Sequence, residues 1–427
     1  MYSSVEIIPN LRAQALFLTP EAGNLFRETG ELTPIPVTDK ISVMPWGADN
    51  QMPYNILDRI EQDETISTCQ TFNAEICYGA GLQYDTAQAP QAEADTVRYF
   101  LEHNDLQRVW YGQALDLKFW GFSVVVLYLN KQGNRIVSLQ RKEAINCRFS
   151  VANRQGRISH IVYADWRRYD FQREHELIPL LAQSDPLADL QYRISHNTRD
   201  RKFAVLCRIP TADSIYYPIP YYGSLFRSRW YDIKQLIATA KYAKLRNSAP
   251  LKYQIEISQR YWENLFNAEG ITELKKKQER VKQEKENIVN FLTGAENAGK
   301  ALFSTFYISP NGEEQHEVQI KKIDEGKEGG DWESDIQEAI NIICFTMGVH
   351  SNLVGSVPGK AQTNNSGSDK RELYTIAQAR QRPYHELMFR PHRLLCTYNG
   401  WHNVQIRCPF LMLTTLDQHT DAQLAEA

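Results

Sequence analysis

Between residues 294 and 301 the chain reads GAENAGKA, one residue away from the Gly-rich loop that cradles nucleotide phosphates. Such a loop works where a buried strand enters it and a helix leaves it, so that backbone N–H groups and a helix N-terminus converge on the phosphates. Both flanks have the opposite sense. Upstream, ITELKKKQERVKQEKENIVNFL is a charged run with Ile271, Leu274, Val281, Ile288 and Phe291 at the spacing of a solvated helix. Downstream, ALFSTFYI is rich in β-branched and aromatic residues and predicts a strand. Lys300 is followed by Ala301, whose methyl cannot replace the hydroxyl that ligates magnesium. The segment therefore predicts a helix-to-strand turn in which Gly294, Asn297 and Gly299 tolerate positive φ, and phosphate-loop chemistry is disfavoured.

Other reactive groups are scattered. His103, His160, His175 and His350 lie near carboxylates in sequence, His175 between Glu174 and Glu176, but none has a second ligand at metal spacing. The seven cysteines, Cys69, Cys77, Cys147, Cys207, Cys344, Cys396 and Cys408, form no close pair and read as small buried hydrophobes in a reducing compartment. There is no nucleophile elbow, no HExxH and no cluster of carboxylates at strand ends of the kind a nuclease needs. No catalytic, metal-binding or cofactor-binding residue is assigned, and the expected protein is not an enzyme.

The elements that must position any site follow from the apolar pattern. A chain of 427 residues with 42% apolar side chains can build several cores, and a net charge of −3 does not suggest a protein that grips nucleic acid along its whole surface. The start MYSSVEIIPN lacks a basic segment followed by an apolar one, and FWGFSVVVLYL (119–129) is too short to span a bilayer, so export and insertion are both disfavoured. The first forty residues read as an extended arm. WGADNQMPYNILDRIEQDETISTCQTFNAEICYGAGLQY predicts helices with a Gly-rich exit, followed by two amphipathic helices, the second ending at Gly121. FSVVVLYLN and RIVSLQ predict a hairpin about Gly133, and the N-terminal half is expected to be α+β.

From Tyr222 and Gly223, the apolar residues Leu225, Phe226, Trp230, Ile233, Leu236, Ile237 and Ala240 predict one long helix ending near Pro250. Its other face, with Arg227, Arg229, Lys234, Lys241, Lys244 and Arg246, is the most basic in the chain. A strand pair is expected about Pro310, Asn311 and Gly312. A second helix capped by Asp331 should carry Glu333 and Asp335 in its first turn and a stripe of Trp332, Ile336, Ala339, Ile340 and Ile343. VGSVPGKAQTNNSGS (354–368) reads as a polar loop, and Ser366 with Asp369 starts a further helix that Pro383 should kink.

This order resembles the portal protein of tailed bacteriophages and prophages. The likeness rests on YYGSLF opening the first long helix, on the NAGKALF turn, on FTMGVHSNLVGSVPGKAQTNNSGSDKRELY and on the WGADNQMP signature, and it spans about Trp46 to Leu395. It implies an N-terminal arm at 1–45, an α+β wing at 46–222, a first stem helix at 223–248 and a small α/β clip at 249–330. It further implies a second stem helix at 331–350, a channel loop at 351–368, and at 369–427 a kinked helix, a return to the wing and a short C-terminal region without a long helical crown.

The resemblance also implies a cyclic ring of about twelve copies at the capsid vertex, through which double-stranded DNA enters and leaves. Implied partners are that DNA, the large terminase subunit, the major capsid protein and scaffold, and a head–tail adaptor, with no membrane and no cofactor. The expected location is the virion, after assembly in the bacterial cytoplasm. Candidate channel-loop residues are Lys360, Gln362, Thr363, Asn364 and Asn365. Lys234, Lys241, Lys244 and Arg246 are the candidate basic stem face, and Glu328, Glu333 and Glu338 the acids expected to line the lumen. The alternatives are another ring or capsid component that never touches DNA, or a nucleic-acid-processing enzyme.

Overall fold

The computed structural model describes residues 4–8, 13–17, 32–167, 174–196, 199–212, 216–247, 253–293, 306–308, 314–316, 318–322, 332–355, 367–412 and 425–426. The chain divides into two units, Met1–Leu236 with Glu333–Ala427, and Ile237–Trp332. In chain order the helices are α1 (Met52–Glu61), α2 (Glu64–Tyr78), α3 (Gln91–His103), α4 (Leu106–Trp120), α5 (Pro186–Ser195), α6 (Gly223–Arg227) and α7 (Trp230–Asn247). They continue with α8 (Gln259–Ala268), α9 (Leu274–Thr293), α10 (Trp332–Met347), α11 (Ser351–Val354), α12 (Gly367–Ala379) and α13 (Arg382–Tyr398).

The larger unit is organised by the strand Phe122–Leu129, flanked antiparallel by Lys202–Arg208 on one side and Ile136–Lys142 on the other. Successive strand side chains point to opposite faces, and here both faces are buried. Phe122, Val124 and Val126 pack with Ile56 and Ile60 of α1, Ile66 of α2, and Ile340 and Ile343 of α10. Val125, Leu127 and Leu129 pack with Phe100 of α3, Trp110 of α4, and Met388 and Leu395 of α13. That is why FSVVVLYL has no polar alternation. The expected hairpin forms with Gly133 at φ 79°, and α4 ends at Gly121 with φ 75°. A second antiparallel sheet runs Glu176–Pro179, His160–Tyr163, Cys147–Phe149.

The WGADNQMP segment is a buried knot. Gly47 has φ 87°, and a Cβ there would lie 2.5 Å from Met52 Cβ. Asn50 has φ 61°, and its Oδ1 accepts from Trp46 N at 3.0 Å and from Arg148 Nε. Arg148, wholly buried, donates through Nη2 to Asn50 O (3.0 Å) and through Nη1 to Ile145 O (2.8 Å) and Cys147 O (3.0 Å). The Trp46 and Trp166 rings stand 5.4 and 5.2 Å from its guanidinium. A buried cation is tolerated because its donors are met and aromatic faces replace water. The last residues of the expected arm join this region: Val43 is buried, and Met44 N donates to Phe149 O at 2.9 Å.

Asp63 is a second buried charge. Its Oδ1 caps α2 by accepting from Thr65 N and Ile66 N, both at 3.0 Å, and takes an ion pair from Lys234 Nζ of α7 at 2.9 Å. Lys234 Nζ also donates to Thr65 Oγ1 and Glu64 Oε1, both at 2.8 Å, and Gln235 Nε2 reaches Asp63 Oδ2 at 3.3 Å. Burial raises the Glu64 carboxyl, but the Lys234 ammonium outweighs it and the net shift is downward. Lys234 is therefore not part of an exposed basic face, because this pairing holds its stem and head inside the protein.

Two expected helices are broken. The long helix predicted from Gly223 is split into α6 and α7 at Arg229, φ 69°. The break lets Phe226 and Tyr231 pack edge to face at 5.3 Å, with the Arg59 guanidinium over both rings. Pro383 does not kink a helix interior. It sits in the first turn of α13, where its missing N–H is not needed and its fixed φ suits helix entry. The expected caps Asp331 and Ser366 lie outside the described residues, and α12 begins at Gly367.

In the smaller unit α9 precedes the strand Phe306–Ile308, the reverse of phosphate-loop order; the GAENAGKA segment itself lies outside the described residues. Phe306–Ile308 pairs antiparallel with Glu314–His316, and Tyr253–Ile257 with Val318–Lys322. Arg280 of α9 bridges Glu269 at 2.8 Å and Glu284 at 2.7 Å.

Two stability predictions follow from these buried groups. Removing one partner of a buried ion pair strands the other, so Lys234→Met should cost about 3 kcal/mol in urea denaturation. Asp63→Asn combined with Lys234→Met should cost less than the sum of the two single changes. His392, wholly buried between Tyr84 OH (2.8 Å) and Gln113 Oε1 (3.1 Å), has its pKa pushed down by burial to about 3. A base whose folded pKa is depressed contributes stability above its unfolded pKa, and that contribution is lost as pH falls. Between pH 7.5 and 5.5 His392 should thus remove about 1.4 kcal/mol. His392→Gln should flatten that part of the stability profile.

Candidate nucleic-acid and assembly interface

The functional expectations fall on α7, α10 and the segment after α10. In α7, burial is a matter of position along the axis. Tyr231 and Lys234 are buried, while Leu236 is 49% and Tyr242 64% exposed. Lys241 and Arg246 are exposed; Lys244 lies in α7, with its side chain outside the described set. The apolar stripe predicted to Ala240 is thus covered at its start, and Leu236 and Ala240 stand in solvent. Among the described side chains, Lys241 and Arg246 form the basic end of the helix and Lys234 does not join them.

α10 is two-sided. Ala339, Ile340, Ile343, Cys344 and Met347 are buried, and Ile336 packs partly against the same core, in agreement with most of the expected stripe. Cys344 meets Cys69 of α2 with 3.9 Å between the sulfurs. The opposite face carries Asp335, Glu338 and Asn341, all exposed, while Glu333 is exposed in the first turn on the side of the stripe, seven residues before Ile340. On that same polar face stands Phe345, 86% exposed. Position 345 follows 338 and 341 by two turns and one turn respectively, so helical spacing already sets this phenylalanine outside the apolar stripe. It is the residue the sequence reading passed over.

α10 ends at Gly348, φ 66°, and α11 follows, with His350 Nδ1 accepting from Asn352 N at 3.3 Å. The start of the predicted channel loop is therefore helical. Lys360, Gln362, Thr363, Asn364 and Asn365 lie outside the described residues, as does Glu328. Nothing in the described part gathers reactive groups into a catalytic cluster around these positions. Among the described residues there is no group of three or more His, Cys, Asp or Glu that could hold a metal ion, and no helix long and apolar enough to cross a membrane. Six of the seven cysteines are buried and Cys408 is half-buried; all are free thiols.

The sequence matches no protein-family model and none of the curated proteins searched. Solved structures share the fold. A chain from the neck of an empty gene transfer agent particle computed with C6 symmetry aligns over 86% of this chain and 85% of its own, at TM-score 0.54 and 14% identity. A chain from the virion of a native gene transfer agent particle aligns over 91% of this chain and 87% of its own, at TM-score 0.55 and 13% identity. A chain from the neck of the native particle computed with C12 symmetry covers 83% of each, at TM-score 0.52 and 12% identity. The chain therefore has the fold found in the neck and virion of phage-like particles.

Proposed function

We propose that this chain is the ring-forming portal subunit of a phage-like particle, the channel through which double-stranded DNA is packaged and released. The observation that carries the reading is the fold likeness, which extends over most of the chain to proteins of a particle neck computed with cyclic symmetry. Exposed apolar residues on otherwise solvated helices support it. Phe345, Leu236 and Tyr242 are exposed among the described residues, and a second copy in a ring can cover such side chains.

In this reading residues 46–222 are the wing, α6 and α7 the first stem segment, 249–330 the clip, α10 the second stem segment and 351–368 the channel loop. Glu338, with Phe345 on the same face, lies where the lumen meets the neighbouring copy, and Glu333 and Glu338 repel phosphates there. Lys360, Gln362, Thr363, Asn364 and Asn365 touch DNA loosely. A modest cluster at Lys241, Lys244 and Arg246, repeated around a ring, becomes a belt of charge facing DNA or the packaging motor. Weak contacts suit the task, because each fixed phosphate pairing carries a counterion cost that would brake sliding. The terminase, capsid, scaffold and head–tail adaptor contacts belong to the same proposal, as does residence in the virion.

Electron microscopy of the purified chain is expected to give rings with a central channel and about twelve-fold symmetry. Phe345→Glu should abolish rings in size-exclusion chromatography without changing the far-ultraviolet circular dichroism spectrum; unaltered rings would remove Phe345 from the interface. Lys241→Glu, Lys244→Glu and Arg246→Glu together should leave rings intact and abolish DNA packaging in particle-producing cells. Full packaging by that variant would favour a ring component whose basic end does not face DNA.

A further inference from the structure

Cys69 of α2 and Cys344 of α10 are 275 positions apart in the chain, and the fold sets their sulfurs 3.9 Å from one another. Both lie in the core that α1, α2 and α10 build on one face of Phe122–Leu129. One turn further along both helices, Asn73 Nδ2 donates to Met347 O at 3.0 Å. The approach of the sulfurs therefore belongs to two helices lying side by side, not to one outstretched side chain.

That placement meets the demands of a covalent link. Helices pack with their axes about 8–10 Å apart and carry their Cα atoms on cylinders of about 2.3 Å radius, so facing Cα atoms come to about 4–6 Å. A disulfide spans about 4.4–6.8 Å between Cα atoms and about 2.05 Å between sulfurs. Closing the present gap takes about 2 Å of approach, shared between two side-chain rotations. We propose that Cys69 and Cys344 form a site of oxidative modification, a dithiol that hydrogen peroxide converts to a disulfide between α2 and α10. The proposal is independent of the portal reading.

Cys344 reacts first. It is the less buried of the two, 5% exposed against 0%. The Cys69 S–H donating to its sulfur, helped by the Lys234 ammonium, lowers its pKa against the opposing effects of burial and of Asp63, while the same hydrogen bond and burial raise that of Cys69. The Cys344 thiolate attacks one peroxide oxygen, the O–O bond breaks, and the departing hydroxide takes the thiol proton to leave as water. The Cys69 sulfur then attacks the sulfur of the Cys344 sulfenic acid, the S–O bond breaks, and hydroxide leaves with the Cys69 proton as a second water. Two thiols lose two electrons and one peroxide gains them. Burial selects the oxidant, since a molecule the size of peroxide can enter where a bulky disulfide cannot. Once formed, the bond holds α10 on the same helix that the Asp63–Lys234 pair already ties to α7.

The test uses the full-length chain, reduced, freed of reductant and treated with hydrogen peroxide under native conditions. After removal of the peroxide, remaining thiols are blocked with N-ethylmaleimide in denaturant and the digest is mapped by mass spectrometry. A linked Cys69–Cys344 peptide is expected in most chains, together with a Tm about 5 °C above that of the reduced chain, both reversed by dithiothreitol. Cys408→Ala, which removes the half-buried thiol, should keep the linked peptide and the shift, and Cys69→Ala should lose both. The peptide map is read on the unaltered chain, so it decides the matter even if Cys69→Ala fails to fold. Recovery of Cys69 and Cys344 as separately blocked thiols while Cys408 is oxidised, or linkage of either to a different cysteine, would overturn the proposal.

Discussion

Asp63 is fully buried, and its carboxylate meets two demands at once: it caps α2 and it neutralises Lys234 of α7. Neither demand is optional. An uncapped helix N-terminus inside a protein leaves amides unsatisfied, and an unpaired ammonium there would be costlier still. The pairing therefore fixes the root of α7 against α2, and only that root. Four residues after Lys234 the helix side chains are exposed, so the residues with functional promise lie beyond an anchor made of this ion pair and of Tyr231 in the core.

The apolar part of the same support comes from one strand. Phe122–Leu129 contributes alternate residues to two cores, so α1, α2 and α10 on one face and α3, α4 and α13 on the other share a common wall. A polar substitution on either face would disturb one core directly and the other through the shared backbone. α10 rests on the first core through Ile340, Ile343 and Met347, which turns Glu338 and Phe345 outward. The apolar stripe is used within the chain and the opposite face is left exposed.

Much of this was legible beforehand. The continuous apolar run at 122–129, the turn at Gly133, the stop at Gly121 and the stripe of α10 follow from side-chain period and glycine stereochemistry. The inverted flanks of GAENAGKA were equally plain, because charge-rich helical spacing and β-branched runs are local properties. Lys234 was misread for a definite reason. It lies two turns before Lys241, so helical spacing puts both on one face, but periodicity reports angle around an axis and not depth along it. The break at Arg229 escaped for a related reason: nothing in SRW is a conventional breaker, and the positive φ goes with the tertiary packing of Phe226 on Tyr231. Pro383 was expected to kink one helix, whereas the chain ends that helix at Ala379 and starts a new one at Arg382.

What the sequence determined by itself was the kind of each element and the face each must bury, since these depend on residue type and spacing within a few turns. The tertiary structure alone decided which charges would lie inside and with whom. Asp63 meets Lys234 across 171 positions and Asn50 meets Arg148 across 98. Lys118 shares a cavity with Arg380 and Gln381 from the far end of the chain. Such encounters are fixed by how helices and sheets pack, and electrostatic energy depends on distance and burial, neither of which is written in local spacing.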